Sequence, residues 1–379
     1  MEDVEDFEEK GKLREIERNS WKDSCYGSRR DFIQKVGAGI GGLSMLSFVT
    51  TGCASRGLVR GTAASGTMQT RGESRVHLVG GRDHRQNVYN AIKPFQDQLK
   101  NEIAGKKVLI KVNFVGTGNQ LAVTPPDAVR GTMDILNEIT DEKIIVGDSK
   151  GFLPSFEHYN YLPLKEEFDN IVLEDLWKRP VEWYWILDSK VRPTPIRCYQ
   201  PYFDDDYYII SLTRLKTHNA VVATLTLKNL TMGMPMKRPD LKVNDKAKMH
   251  AFGENEIGPK MINYNQFMMA NRRTPDFCVL DGTEGLEGNG PTSGEPVDHQ
   301  VALAGFDTVS VDRIGSELMG IPWDNIGYLQ YCSDAGIGQG ERDKINVTGL
   351  DPKDHVETYK LHTNIETQYM WKQDLFFKE

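Results

Sequence analysis

The sequence has 379 residues, of which 39% are hydrophobic and 26% charged, a composition typical of a folded soluble protein. The 46 Lys and Arg residues stand against 54 Asp and Glu residues, and the net charge of −8 argues against a protein that grips nucleic acid. The five cysteines include no C-x-x-C pair, which excludes a zinc ribbon, a thioredoxin-type motif and a self-contained iron–sulfur ligand set.

The N-terminal region has the layout of a twin-arginine export signal. Arg29 and Arg30 precede a weakly apolar, glycine-rich run from Val36 to Val49. This run is too short for a membrane-spanning helix, which needs about 20 apolar residues. We therefore expect export by the twin-arginine translocase to the periplasm or cell envelope. The alternative is a basic pair that opens an ordinary soluble helix.

Cys53 follows a small residue, Gly52, as the cysteine of a lipoprotein signal does, although Thr50 stands where an aliphatic residue is usual. Two outcomes stay open: a lipid anchor at Cys53, or cleavage nearby without modification. The only expected contact with a membrane is through the signal or this anchor. Residues 1–53 are thus predicted to be the signal region, residues 54–75 a flexible linker, and residues 76–379 a single domain.

The first part of the domain reads as a strand, a helix and a second strand. A β-branched run from Lys107 to Phe114 predicts a strand, and Lys143–Ser149 predicts another. Between them, Thr124 is expected to cap a helix with proline in its first turn, and apolar residues follow at helical spacing as far as Ile139. The order predicts a βαβ unit with two parallel strands.

The same pattern recurs downstream. Strands are predicted at Tyr207–Leu212, Phe277–Asp281 and Val301–Ala304, and helices at Ala220–Leu230 and Asp307–Met319. Residues 155–206, rich in aromatic side chains, read as an insertion or a covering layer. The fold class predicted is α/β, with a mostly parallel, doubly wound sheet and helices on both faces.

Polar residues follow four of the predicted strands. Because parallel sheets bind ligands beyond the carboxyl ends of their strands, we expect a site at this edge. The alternative is that Asp, Ser and Asn stand there as ordinary turn and cap residues. The residues expected to bind a cofactor or a small anionic substrate are Lys111, Asn113, Ser149, Lys228, Asn229, Gly288, Asn289 and Gly290.

The predicted catalytic residues are Lys216, His218 and Asp148. Lys216 and His218 are two residues apart, on one side of the chain if the strand continues through them. His218 is suited to act as a general base or metal ligand, and Lys216 as an anion binder or nucleophile. The alternative is a hydrogen-bonded structural pair.

Two further segments carry candidate chemistry. Lys228 lies among apolar neighbours, where a charge is costly unless it is paired, for example with an aspartate or a bound anion. The glycine-rich stretch 281–294 reads as a loop that either approaches a ligand closely or is purely structural. His218, Asp281 and Glu287 are the residues that could hold a metal ion.

Taken in order, these motifs resemble the domain of unknown function 362 family. The resemblance runs from about residue 108 to residue 320, and Val112 stands where the family usually has proline. The matching segments are Lys111–Asn113, Thr124–Asp127, Gly147–Ser149, Lys216–His218, Lys228–Leu230, Asp281–Gly282, Glu287–Pro291 and Asp307–Gly320, the last with the paired Asp307 and Asp312.

The resemblance implies little about activity. Some relatives carry ferredoxin-like cysteine clusters, which this chain lacks, so an iron–sulfur cluster held by its own cysteines is not expected. A distant similarity to the N-terminal part of lactate racemase, which holds a nickel-pincer cofactor through lysine and histidine, is a fold-level analogy for Lys216 and His218.

Two functions remain open from the sequence. The first is an exported protein, enzymatic in type, that binds a small anionic substrate, metal ion or cofactor at the carboxyl ends of the strands. The second is a non-catalytic ligand-binding or envelope-maintenance protein, in which the lysines form structural ion pairs with Asp148, Asp281 and Asp312.

Overall fold

The computed structural model describes residues 72–115, 118–149, 155–251 and 258–373. The predicted signal residues Arg29, Arg30 and Cys53 lie outside these ranges, as does most of the predicted linker. The first described strand begins at Ser74, so the last two residues of the predicted linker belong to the sheet.

The described residues form fourteen strands and eleven α-helices. The strands are β1 Ser74–Gly80, β2 Lys107–Lys111, β3 Ile144–Asp148, β4 Ile171–Asp175, β5 Val181–Leu187, β6 Pro193–Tyr199, β7 Tyr207–Thr217, β8 Ala223–Thr224, β9 Lys237–Arg238, β10 Val243–Asn244, β11 Phe277–Glu287, β12 Glu295–Val297, β13 Val301–Gly305 and β14 Ile345–Gly349. The helices are α1 His84–Ile92, α2 Gln96–Glu102, α3 Pro126–Asn137, α4 Ser155–His158, α5 Leu164–Glu167, α6 Thr226–Thr231, α7 Asp245–Lys248, α8 Gly258–Arg272, α9 Thr308–Leu318, α10 Gly327–Asp334 and α11 Ile365–Tyr369.

A ten-stranded sheet organises the molecule. Its strands run in the order β14-β1-β13-β11-β7-β2-β3-β4, with β12 beside β11 and β8 beside β7. The five strands from β11 to β4 are parallel, whereas β13 is antiparallel to both of its neighbours. The predicted α/β class with a mostly parallel sheet is confirmed.

Helices cover both faces of the sheet. On one face, α1 and α3 pack on alternate side chains of β2 and β7, such as Ile110 and Leu212. On the other face, α9 packs with Leu215 and Leu280. Because both faces are buried, the central strands are apolar along most of their length, which is the usual pattern of a covered parallel sheet.

The start of α3 differs from the prediction. The helix begins at Pro126 with Pro125 as its N-cap, and Thr124 does not cap it. The Thr124 hydroxyl instead accepts a hydrogen bond from the Asn113 N–H at 2.9 Å and donates one to the Leu212 carbonyl at 2.8 Å. Thr124 therefore ties together the chain beyond β2 and β7, a tertiary role that outweighs its local capping preference.

The segment after β7 also differs. Strand β7 continues through Lys216 to Thr217, and the chain then turns sharply, with the His218 N–H bonded to the Val222 carbonyl at 2.8 Å. The predicted helix over Ala220–Leu230 is wrong in its first half, because β8 pairs antiparallel to β7 there. Only α6, six residues long, is helical.

The prediction of a loop over the glycine-rich stretch 281–294 is wrong for the first half of that stretch, which is a strand. Strand β11 runs on to Glu287, with a change of register against β7 between Asp281 and Leu286. Gly282 permits the close approach of Leu215, since a Cβ there would lie 2.5 Å from the leucine Cδ1.

Residues 155–206 are only partly an insertion. Strand β4 is the edge of the main sheet beside β3. Strands β5 and β6 form a separate antiparallel pair, and their buried Ile186 and Ile196 join a methionine-rich cluster that covers the sheet.

Candidate functional site

The carboxyl ends of β2, β3 and β7 bring most of the predicted cofactor and catalytic residues together. Lys111 ends β2, Asp148 ends β3, and Lys216 precedes the last residue of β7. Short helix α6 then brings Lys228 and Asn229 to the same place. The four lysines that gather here, called the lysine cluster below, are Lys111, Lys216, Lys228 and Lys246.

Lys111 is fully buried and has a complete set of acceptors. Its ammonium group donates to Asp148 Oδ1 at 2.7 Å, to the Val112 carbonyl at 2.6 Å and to Asn229 Oδ1 at 3.2 Å. Three acceptors match the three protons of a lysine ammonium group. Burial lowers the pKa of Lys111, while Asp148 favours the charged form.

Asp148 is equally well satisfied. Besides Lys111, it accepts from the N–H groups of Ser149 at 2.7 Å and of Phe114 at 2.5 Å. These contacts make Asp148 the counter-ion of Lys111 and the anchor of the two chain segments that leave the sheet. A proton-transfer role for Asp148 stays a prediction.

Ser149 and Gly233 close the cluster on the side of Lys111. The Ser149 hydroxyl donates to the Gly233 carbonyl. A Cβ at Gly233 would lie 2.5 Å from the Lys111 Cε, so only glycine permits this approach. Ser149 thus contacts the backbone that covers Lys111.

Two asparagines connect Lys111 to Lys216. Asn229 Oδ1 accepts from both Lys111 and the Asn113 side-chain amide, the latter at 3.0 Å. Asn113 Oδ1 in turn accepts from Lys216 Nζ at 2.5 Å. Residues from three separate sequence motifs therefore form one buried hydrogen-bonded chain.

Lys216 differs from Lys111 because its two acceptors are neutral, namely the Asn113 amide and the Ala122 carbonyl. Its side chain is 0% exposed, and burial, with Arg214 nearby, lowers its pKa to about 7. An appreciable fraction of Lys216 is therefore uncharged at neutral pH.

Lys228 lacks a partner among the described residues. It is only 7% exposed, yet its amine forms no hydrogen bond or ion pair with the part of the chain that the structure describes. Burial, followed by the positive charges of Lys246 and Lys216, lowers its pKa well below the usual value. A buried, unpaired amine among like charges is energetically costly.

Lys246, at the second position of α7, was missed by the sequence reasoning. It is half-buried, and burial lowers its pKa to about 8. Nearby His250 has a pKa lowered to about 4 by burial and by Lys228 and Lys246. No motif marks Lys246, because it belongs to a charged, irregular segment that reads as surface.

His218 has its tautomer set by the backbone. The Ala220 N–H donates to His218 Nδ1 at 3.0 Å, so a neutral ring must carry its proton on Nε2. Burial, then Lys228, lowers the pKa of His218 well below 6.5, which keeps the ring neutral. His218 is buried, with only 5% of it exposed, yet its Nε2 has no hydrogen-bond partner within the described ranges.

The glycine-rich stretch contributes its polar residues elsewhere. The Glu287 carboxylate accepts two hydrogen bonds from Lys360, one from its Nζ at 2.9 Å and one from its backbone N–H at 2.8 Å. Asn289 Oδ1 accepts from Thr363, and Gly290 packs against the Thr217 carbonyl. Gly288 donates its N–H to the Lys360 carbonyl.

Asp281 contacts a different histidine from the one expected. It lies fully buried on the face of α1, where Oδ2 contacts His84 Nδ1 at 2.6 Å. This contact raises the pKa of His84 against the opposing effect of burial. The two residues are 197 positions apart, and no local pattern predicts their pairing.

The three predicted metal ligands therefore have separate contacts. His218 lies by the lysine cluster, Asp281 by His84 and Glu287 by Lys360. Among the described residues, no group of three or more His, Cys, Asp or Glu side chains is placed to hold a metal ion. The metal ion stays a prediction.

A cleft of about 460 Å³ lies at the other end of the parallel strands, away from the lysine cluster. It is lined by residues such as Tyr207, Pro275 and Asp307, near the amino ends of the parallel strands. None of the predicted site residues lines it. The cleft is therefore separate from the lysine cluster. Within the described ranges no helix combines the length and apolar character needed to cross a bilayer.

Comparisons with known proteins agree with the motifs. Over 223 residues the chain is 27% identical to a protein named Thylakoid-associated protein sll1697 from Synechocystis sp.; the match covers 57% of this chain and 63% of the relative, less than two thirds of its length. No solved structure matches. A family model described as Domain of unknown function (DUF362) matches residues 108–317, which include β2, β7, α6 and most of α9. Since this match spans more than half of the sequence, the chain belongs to the DUF362 family.

Proposed function

We propose that the protein binds a small oxyanion, a carboxylate or phosphate compound, at the lysine cluster. The observation that carries the proposal is Lys228, which is buried without a hydrogen-bond or ion-pair partner in the described part of the chain. Lys246 and the Nε2–H of His218 are further donors with no side-chain acceptor there. A set of donors without acceptors is satisfied by a ligand with several oxygen atoms.

The charge balance supports the same conclusion. Among the described residues, Asp148 favours the charged forms of Lys111, Lys216 and Lys246, whereas burial, Lys246 and Lys216 all disfavour the charged form of Lys228. Asp148 already forms three hydrogen bonds, so its charge serves Lys111. A bound anion would stabilise the protonated forms of Lys216, Lys228 and Lys246.

Thermal unfolding in increasing inorganic phosphate tests this proposal. A ligand at 100 times its Kd stabilises the folded state by about 2.7 kcal/mol, so the melting temperature should rise with phosphate. Lys228→Met and Lys246→Met should lose the rise, whereas Lys100→Met, at an exposed lysine, should keep it. An equal rise in all four proteins would mean that phosphate acts elsewhere and would contradict the proposal.

The structural alternative is favoured at one place, the Lys111–Asp148 pair. Both side chains are buried and saturated with hydrogen bonds, as expected of an ion pair that holds chain segments together. The same reading fails for Lys228, and Asp312 contacts the backbone of α6, not a lysine. Structural ion pairing therefore explains one lysine of the cluster, Lys111.

We further propose that the chain is exported by the twin-arginine translocase and associates with a membrane face. Arg29 and Arg30 and the apolar run after them support export. The name of the thylakoid-associated relative supports membrane association. Replacement of both arginines by lysine should retain the protein in the cytoplasm on cell fractionation, and normal export of that variant would contradict the route.

Lipidation at Cys53 is a separate proposal with its own test. A lipid anchor would attach the exported domain to the membrane through the linker at 54–75. Cys53→Ala should release the protein into the soluble fraction and abolish incorporation of labelled lipid. If the wild-type protein incorporates no lipid, the cysteine is not an anchor.

A further inference from the structure

The amines of the lysine cluster differ in what they contact. Lys111 has three acceptors, including a carboxylate, and Lys216 has two neutral acceptors and no exposed surface. Lys228 has no partner in the described ranges, and it is not completely enclosed, since 7% of it is exposed. Among the described residues, Lys228 is therefore the deeply buried amine of the cluster that remains available to bind a ligand.

The surroundings of Lys228 keep its nitrogen available as a nucleophile. Burial and the positive charges of Lys246 and Lys216 all lower the pKa of Lys228, so they disfavour its ammonium form. His218 and His250 lie close enough for Lys228 to lower their pKa values, and both are neutral. An uncharged lysine amine carries a lone pair that attacks electrophilic carbon.

His218 complements this amine as a donor. Because the Ala220 N–H occupies Nδ1, the ring presents N–H and not a lone pair at Nε2. A metal ion or a substrate proton would need that lone pair, whereas a carbonyl oxygen is a suitable acceptor for the Nε2–H. A neutral histidine that donates to a carbonyl oxygen polarises the bond to its carbon.

We propose that Lys228 forms an imine with an anionic aldehyde or ketone, with His218 donating to the carbonyl oxygen and Lys246 binding the anionic group. This inference rests on the proposed oxyanion site and names its substrate class, a carbonyl compound that carries a carboxylate or phosphate. It assigns Lys228 the covalent step and gives His218 a role other than base or metal ligand.

The step balances without an oxidant or reductant. The Lys228 nitrogen lone pair forms a bond to the carbonyl carbon, and the π electrons of the carbonyl group move to its oxygen. Transfer of a proton from nitrogen to this oxygen gives a carbinolamine. Loss of the hydroxyl group with the remaining amine proton gives the carbon–nitrogen double bond, so amine and carbonyl compound become imine and water.

Reductive trapping on the full-length protein tests the inference. Glyoxylate, an anionic aldehyde, is added with sodium cyanoborohydride at pH 7, and modified lysines are mapped by peptide mass spectrometry. The expected result is a carboxymethyl adduct on Lys228 that forms before any on exposed lysines such as Lys100. Adducts on exposed lysines or on Lys216, with Lys228 unmodified, would overturn the inference.

A second measurement separates this inference from the proposed function. Lys228→Arg cannot form an imine, so it should lose the adduct, and thermal unfolding of the wild-type protein in phosphate is measured beside the trapping. If phosphate stabilises the wild-type protein and glyoxylate leaves Lys228 unmodified, only the imine is overturned. If phosphate also fails to stabilise it, the oxyanion site is overturned as well. Mapping on the wild-type protein makes the test independent of whether any variant folds.

Discussion

Lys216 illustrates how burial changes a lysine that has only neutral acceptors. Its two hydrogen bonds, to Asn113 and Ala122, satisfy a neutral amine fully and an ammonium group incompletely. Lys111, one strand away, has the carboxylate that Lys216 lacks. The two residues look alike in the sequence, yet one is a structural cation and the other is close to losing its proton.

The pH dependence of folding follows from this difference. The pKa of Lys216 falls from its usual 10.5 to about 7 on folding, so above pH 7 the unfolded chain binds a proton that the native protein does not. The free energy of unfolding should therefore rise with pH, by at most about 1.4 kcal/mol per pH unit for this group. Urea unfolding of the wild type and Lys216→Met between pH 7 and pH 8 measures the difference.

The measurement stops near pH 8 because three buried thiols lower the free energy of unfolding as the pH rises further. These thiols belong to Cys198, Cys278 and Cys332. Burial raises their pKa values, so the unfolded chain loses their protons first. The comparison with Lys216→Met cancels this contribution. An identical pH slope in both proteins would show that Lys216 stays charged when folded.

The Lys111–Asp148 ion pair is buried, which should make the loss of either charge costly. Asp148→Asn leaves the Lys111 ammonium group buried without its carboxylate, which should destabilise the fold by about 3–5 kcal/mol. Glu138→Gln is the matched control, because its ion pair with Lys93 is exposed to solvent and its loss should cost little. Chemical denaturation measures both. Equal losses would mean that burial is not what makes Asp148 important.

At the scale of elements, helix α6 holds Lys228 and Asn229 although it is only six residues long. A helix of this length is not stable alone, and the side chain of its N-cap residue, Leu225, cannot accept a hydrogen bond from the first turn. Asp312 of α9 supplies the cap, accepting from the N–H groups of Thr226 at 2.8 Å and Leu227 at 3.0 Å. Burial raises the pKa of Asp312 to about 7.

Asp312→Asn tests this long-range cap. The substitution places an amide N–H₂ near two backbone donors, and loss of a buried acceptor should cost about 1–3 kcal/mol. Because α6 positions Lys228, stabilisation by phosphate should weaken as well. Asp83→Asn is the control, since Asp83 caps α1 and asparagine is an equally good cap. If phosphate still stabilises Asp312→Asn fully, α6 does not depend on its cap.

The sequence predicted β2, β3, α3 and α9 well because apolar spacing is a local signal. It missed the continuation of β11, since Gly282 and Gly285 are ordinary turn residues unless distant side chains fill the space beside them. Those side chains, Leu215 and Tyr359, come from remote parts of the chain. The motif lysines were predictable as a group, but which of them had partners depended on tertiary contacts.

At the scale of the whole molecule, the C-terminal segment 356–372 fixes the ends of β7 and β11. Lys360 and Thr363 bind Glu287 and Asn289, residues that the sequence suggested for ligand binding. The same segment reaches the turn after β7, where the Gln368 side chain accepts from the Val222 N–H at 2.5 Å. We therefore expect the turn beside the lysine cluster to depend on chain that follows the family-matched region.

Gln368→Leu tests that dependence. It leaves the Val222 N–H without an acceptor, in a residue whose φ of 68° is already unfavourable for a β-branched side chain. We expect faster hydrogen exchange in residues 218–222 and unchanged exchange in β2. Because this turn includes the Ala220 N–H that sets the His218 tautomer, adduct formation at Lys228 should slow too.

Thr363→Val provides the comparison for this variant. It removes an exposed contact of the same segment, to Asn289, and neither residue belongs to the turn. Exchange in residues 218–222 should therefore stay at the wild-type rate. If both variants exchange alike, the segment acts as one clamp. If Gln368→Leu has no effect on exchange or trapping, the turn holds His218 by its own hydrogen bonds, and the C-terminal segment is not needed to position it.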